Sequence, residues 1–171
     1  MSNTIIYKKD FDGWNRLKKK LDKRESVPNF NEGEVWWANI GTNVSFEQDG
    51  KSENYSRPVL IIGKINQVMF FGVPLTSQSK RGYYYFELGE IEEEIVSVAM
   101  ISQARSFSAN RLYERIGTIG KKKLTRVRRL MAERPIKIVP TKRPSGVAAN
   151  ADLCPKYSKP NVKSQVKGVK K

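Results

Sequence analysis

RPVLIIGKINQVMFFGVPLTSQ, residues 57–78, carries the clearest strand pattern in the chain. Two apolar runs rich in β-branched and aromatic residues, Pro58–Ile62 and Val68–Leu75, flank a short polar break at Asn66-Gln67. Each run is too short for a buried helix, and the break carries a turn residue, so the stretch reads as a β-hairpin. A turn centred on Asn66-Gln67 sets Arg57 opposite Thr76 across the ladder, with Cβ atoms roughly 4.5–5.5 Å apart. A slip of one residue would destroy that pairing.

Similar runs recur on both sides of it, at Glu34–Ile40 (EVWWANI), Tyr83–Leu88 (YYYFEL) and Val98–Ser102 (VAMIS), separated by glycines and polar clusters. Several short strands with such spacing indicate a small all-β barrel or sandwich. Two helices frame it. Asp10 caps a helix expected over Phe11–Arg24, with Phe11, Trp14, Leu17 and Leu21 on one face and lysines around the rest. That stripe is expected to pack on the main domain in preference to lying on a membrane surface. Ser26–Asn31 reads as a linker. After Gly120, Leu124, Val127, Leu130 and Met131 recur at helical spacing among basic residues, and Pro135 stops the helix. Ile136–Val139 is expected as a last short strand. From Pro140 the chain is rich in Lys, Pro and Ser and poor in large apolar groups, which predicts disorder. The expected organisation is a basic helical extension and linker over 1–31, a barrel domain over 32–139 and a disordered basic tail over 140–171.

Composition narrows the chemistry. The net charge is +15 from 32 basic and 17 acidic residues, and it is uneven: residues 1–26 carry +4, residues 140–171 carry +7 and the middle the remaining +4. Such a balance points to an anionic partner. Histidine is absent, which excludes histidine-based acid–base catalysis and His-containing zinc sites. The single cysteine, Cys154, excludes an internal disulfide and reads as a bystander. No signal peptide and no apolar stretch long enough to cross a bilayer stands in the sequence, so a cytoplasmic protein is expected. The acidic run Glu90–Glu94 lacks ligand spacing and reads as a solvated loop, with no metal site.

Six blocks in order carry a resemblance. They are Gly33–Trp37 (GEVWW), Ser45–Gln48 (SFEQ), Arg57–Ile62 (RPVLII), Val73–Gln78 (VPLTSQ), Ser97–Arg105 and Arg111–Thr118 (RLYERIGT). Each alone is weak; in this order and spacing, over about Gly33 to Ala132, the chain resembles the MazF/PemK family of toxin endoribonucleases. The loop Asp49–Ser56 is longer than the family's linker, and neither basic end belongs to the family core.

The resemblance implies a mainly β fold, an SH3-like barrel of five to seven strands with a C-terminal helix. It also implies a homodimer that cuts single-stranded RNA at a short sequence without metal or other cofactor, leaving a cyclic phosphate and a free 5′-OH. An acidic, partly disordered antitoxin segment would restrain it, and the complex of the two could bind DNA. Arg57 matches the family's catalytic arginine: its planar, permanently charged fork suits phosphoryl oxygens as charge builds on them. Thr76 offers a hydroxyl to a phosphate oxygen or the 2′-OH. The general base stays open, because an arginine with a pKa above ~12 is a poor one. Glu47, Gln48 and Gln78 are candidate contacts to base edges or 2′-OH groups. Trp36, Trp37, Tyr83 and Tyr84 include stacking candidates, at least half of them expected in the core. A second reading stays open: a nucleic-acid-binding β-barrel module that binds without cutting.

Overall fold

The computed structural model describes residues 9–92 and 95–134. The expected strand Ile136–Val139, the tail from Pro140 and Cys154 lie outside them. The described chain runs α1 (Phe11–Asp22), β1 (Glu34–Asn39), β2 (Ser56–Lys64), β3 (Met69–Thr76), β4 (Tyr85–Glu92), β5 (Ile95–Met100), β6 (Arg105–Ser108), β7 (Leu112–Thr118) and α2 (Lys121–Glu133). The strands form one antiparallel sheet in the order β4-β5-β3-β2-β1-β7, with β6 added to β3. The sheet curls into a half-barrel, mainly β and with the two helices expected. Its ends approach without a ladder: a Cβ built on Gly117 of β7 would lie 3.2 Å from Ile91 of β4.

The central hairpin sits in the expected register where it matters. Val59 pairs with Pro74, Leu60 with Val73 and Ile61 with Gly72; the ladder ends there, and Arg57 and Thr76 lie two residues beyond it, on the cavity that both line. The turn differs. The amides of Ile65 and Asn66 both donate to the Met69 carbonyl, at 3.0 and 3.1 Å, so the connection spans four residues instead of turning at Asn66-Gln67. The Asn66 side chain accepts from the Val68 amide at 2.9 Å, a local bond that favours the wider turn. Near the turn Gly63 pairs with Phe71, one residue out of step, and a bulge at Ile62 restores the register.

Alternation along β2 feeds two apolar layers. Val59 and Ile61 join Phe30, Trp36, Phe70, Phe107 and Leu112 on one face. Leu60 and Ile62 join Val35, Val73, Leu75 and Leu88 on the other, where α2 lays down Leu124 and Val127 as its periodicity predicts. Polar bonds lock α2 to the sheet: Lys123 Nζ donates to the Leu88 carbonyl at 2.7 Å, and Arg128 Nε to the Ile62 carbonyl at 3.0 Å.

Other expectations shift. β4 extends to Glu92, so Glu90–Glu92 are strand residues and not a solvated loop; pairing with β5 extends the ladder to this end. β5 starts at Ile95, and Ile101–Gln103 turns away as a single 3-10 turn, earlier than the expected end at Ser102. α1 ends two residues short of Arg24. Phe11 is half exposed, at 50%, although its spacing puts it on the stripe; at the first helical position a side chain leans past the helix start.

Glu34 opens β1 buried, yet it is well satisfied. Its carboxylate accepts from the Asn31 amide at 3.0 Å, the Trp36 indole at 2.8 Å and the Asn31 side chain at 3.2 Å, with Arg115 at 3.4 Å. Burial pushes its pKa up, but these donors together outweigh burial and hold it below the usual glutamate value. A depressed folded pKa gives stability that is complete above the unfolded value, near 4.5, and is lost as the pH falls through the folded one. We expect Glu34→Gln to cost about 1.5–3 kcal/mol at pH 7, and less as the pH falls below about 4. Urea titrations at pH 7 and pH 3 check this; equal losses at both values would remove the charge from the account.

Candidate functional site

The site is built where β2 begins and β3 ends. Arg57 and Thr76 are buried, at 7% and 6% exposure, and both line a cavity of about 450 Å³. The remaining wall comes from distant segments: Trp37 of β1, Lys51 and Ser52 of the following loop, Ser97 of β5, and Tyr113 and Glu114 of β7. A curled sheet brings these strands to one mouth.

The Arg57 guanidinium is held from two sides. Nε donates to the Asp49 carbonyl at 2.9 Å and Nη1 to the Leu75 carbonyl at 3.2 Å. Among the described residues the Nη2 end has no protein partner, which leaves an edge of the fork for an anion. Burial lowers the arginine's pKa from its ordinary value, and the Asp49 charge opposes that shift. A partly desolvated cation whose neutralising partner is weak favours an incoming anion. The Thr76 hydroxyl accepts from the Gln78 amide at 3.2 Å, so its own proton remains available to donate. Tyr113 donates its phenol to Ser56 Oγ at 3.1 Å on the same wall.

The expected residues fall into two groups. Arg57 and Thr76 come together, and Gln78 sits exposed beside them, tied through its amide to Thr76. Glu47 and Gln48 line a separate cavity of about 300 Å³ with Pro74, Gln103 and Arg105. The Gln48 amide donates to the Gln103 side chain at 3.1 Å, and the Gln48 side chain to the Asp49 carbonyl at 3.1 Å, the same carbonyl that receives Arg57. The two groups therefore meet at one peptide. Of the aromatic candidates Trp37 reaches the cavity, whereas Trp36 is buried with its indole on Glu34. Tyr83 and Tyr84 stack edge to face with centroids 5.0 Å apart and line neither cavity.

Sequence reasoning missed Lys51, Ser52, Tyr113 and Glu114. The first two stand in the long loop, and the last two in a block matched only as a strand. It also missed a set of arginines. Arg105 donates to the Ile40 carbonyl at 3.1 Å and Arg111 to the Asn39 carbonyl at 2.8 Å, and burial lowers the pKa of both. With the buried Arg57, these two half-buried arginines place three cations around one loop. No group of three or more His, Cys, Asp or Glu able to hold a metal occurs among the described residues, and no helix there is long and apolar enough to cross a membrane.

The chain is similar in fold to MazF from Deinococcus radiodurans, at 20% identity over 64% of this chain and 96% of that one, with a TM-score of 0.48. A mycobacterial endoribonuclease in complex with its cognate antitoxin matches at 13% identity over 63% and 93% of the two chains, with a TM-score of 0.47. The Mycobacterium tuberculosis toxin MazF-mt6 matches at 12% identity over 58% and 93%, with a TM-score of 0.45. No curated protein sequence matches the chain. The model of the PemK-like, MazF-like toxins of type II toxin–antitoxin systems matches residues 31–133, from the residue before Glu32 to the end of α2, and with more than half of the chain inside that match this protein belongs to that family.

Proposed function

We propose that this toxin is an endoribonuclease that cuts single-stranded RNA without metal, with Arg57 and Thr76 as its catalytic residues. The observation that carries the reading is the convergence of a buried, partly uncommitted guanidinium and a buried hydroxyl on one cavity wall. The ribose 2′-OH attacks the adjacent phosphorus, the P–O5′ bond breaks, and the proton lost by the 2′-OH is balanced by one gained at O5′. The products are a 2′,3′-cyclic phosphate and a 5′-OH. Arg57 neutralises the charge that grows on the phosphoryl oxygens, and Thr76 donates to one of them. Gln78 at the mouth, and Glu47 and Gln48 in the neighbouring cavity, contact flanking nucleotides. The partners are single-stranded RNA, a second copy of this chain and an acidic antitoxin segment that competes with RNA for the basic mouth.

The test is cleavage of long single-stranded RNAs in a metal chelator, with the fragment ends mapped. Discrete cuts with cyclic-phosphate ends are expected. Thr76→Ala removes one hydrogen bond to a charged group, about 1.5–3 kcal/mol, so its kcat is expected to fall roughly 10- to 150-fold. Intact RNA with a folded protein, across several substrates, would point to the module that binds without cutting.

A further inference from the structure

The α1 segment lies outside the matched family region, yet its start is fastened to the loop that holds Arg57. Lys9 Nζ donates to the carbonyls of Asn43 at 2.7 Å and Ser45 at 3.0 Å, and pairs with the Asp49 carboxylate at 2.8 Å. Asp10 caps α1 through the Gly13 amide at 2.8 Å and accepts the Tyr55 phenol at 2.5 Å with its other oxygen. Trp14 lies 5.7 Å from the Tyr55 ring, and the Arg111 guanidinium stands 5.3 Å over its indole.

The close approach has a sequence requirement. A Cβ on Gly41 would stand 2.4 Å from the Trp14 ring, and Gly41 has φ +96°, so only glycine admits the indole there. The loop is then cross-tied. The Gly41 amide donates to the Tyr55 carbonyl at 3.0 Å, the Gly50 amide to the Gly41 carbonyl at 2.8 Å, and Lys51 and Ser56 exchange both backbone bonds. Asp49 closes the chain of contacts: one carboxylate oxygen accepts from the Asn43 amide at 2.6 Å, the other meets Lys9, and its carbonyl receives Arg57. Ser52 and Tyr55 hold positive φ of 60° and 48°, conformations unfavourable for side-chain-bearing residues unless neighbours impose them.

We infer that Lys9, Asp10 and Trp14 are positioning residues, a clamp through which α1 holds the loop of residues 41–55 in the one conformation that orients Arg57 and presents Lys51 and Ser52 to the cavity. This role rests on the endoribonuclease reading. The loop carries Tyr55, the anchor that α1 grips. Without the clamp, a loop of this length samples many conformations, and each opening withdraws the Asp49 carbonyl from Arg57.

The test uses the full chain with Trp14→Ala, Trp14→Phe and the milder Tyr55→Phe, which removes a single hydroxyl. Two readouts are taken: hydrogen exchange of the loop amides and steady-state RNA cleavage. In Trp14→Ala, exchange at Gly41, Gly50 and Tyr55 is expected to quicken about tenfold or more, while the β2–β3 amides stay at wild-type rates. The loss is expected in kcat, about tenfold, with KM changed much less, because orientation of Arg57 counts in the transition state. Trp14→Phe should recover part of both effects, and Tyr55→Phe should show them weakly. Wild-type loop exchange in Trp14→Ala would overturn the clamp, and so would faster exchange with unchanged kcat. If Trp14→Ala does not fold, the same two readouts on Tyr55→Phe decide. A wild-type chain that cuts no RNA overturns the endoribonuclease reading and the positioning role with it, while the exchange data still decide whether α1 orders the loop.

Discussion

Arg57→Ala is expected to lower RNA cleavage by about 10³-fold or more while the half-barrel stays folded. Removing one preorganised donor to a developing charge costs about 10²–10³ in kcat, and a permanently charged bidentate group commonly costs more. Arg57 is placed for such an effect, because its Nε and Nη1 are fixed on the Asp49 and Leu75 carbonyls and its orientation is set before substrate arrives. Arg57→Lys separates charge from geometry. The ammonium keeps the charge but cannot bridge two carbonyls and still present an edge to phosphate, so it is expected to restore only a small part of the rate. Structural damage is expected to be modest, since Leu75 borders a cavity that water can enter. Circular dichroism and urea midpoints check the fold, and single-turnover cleavage checks the chemistry. Full activity in a folded Arg57→Ala protein would sink the assignment.

Phe70→Ala is expected to bring the fold close to collapse. Phe70 is 0% exposed, with ring centroids 5.4 Å from Phe30 and 5.5 Å from Phe107, and its neighbour Gly72 is so tightly faced that an added Cβ would stand 2.9 Å from the Phe70 ring. Truncating a buried phenylalanine costs about 3–5 kcal/mol in lost transfer and a cavity. Domains are commonly stable by only about 5–15 kcal/mol, so most of the margin would go. Phe71, its half-buried neighbour pointing the other way, is the control, with an expected loss for Phe71→Ala below about 2 kcal/mol. A urea midpoint that falls in Phe70→Ala at unchanged slope confirms the first loss. A loss below about 1 kcal/mol would mean that the phenylalanine layer is not closely packed.

These two residues mark what could be read early. Phe70 stands in a run whose apolar character already demanded burial, and Arg57 stands at the start of a strand inside a recognisable block. Glu47 and Gln48 were legible as a block too, but their place in a second cavity was not, since nothing local shows that Pro74 and Arg105 form its opposite wall. Lys51 and Ser52 carried no signal at all: a polar loop residue looks the same whether it faces solvent or a cavity.

The amino-acid order alone was enough for the hairpin within residues 57–78, the register of its middle, the α2 stripe and the family. All of these follow from short-range periodicity or from ordered local blocks, which survive whatever the rest of the chain does. The bulge at Ile62, the two-cavity division of the expected RNA contacts, the arginines on the Asn39, Ile40 and Asp49 carbonyls, and the docking of α1 on the loop at Gly41 and Tyr55 came only with the folded chain. The reason is physical: a carbonyl accepts and an indole packs according to what stands within a few ångströms, and residues as far apart in the chain as Trp14 and Tyr55 or Asn39 and Arg111 become neighbours only once the sheet has curled.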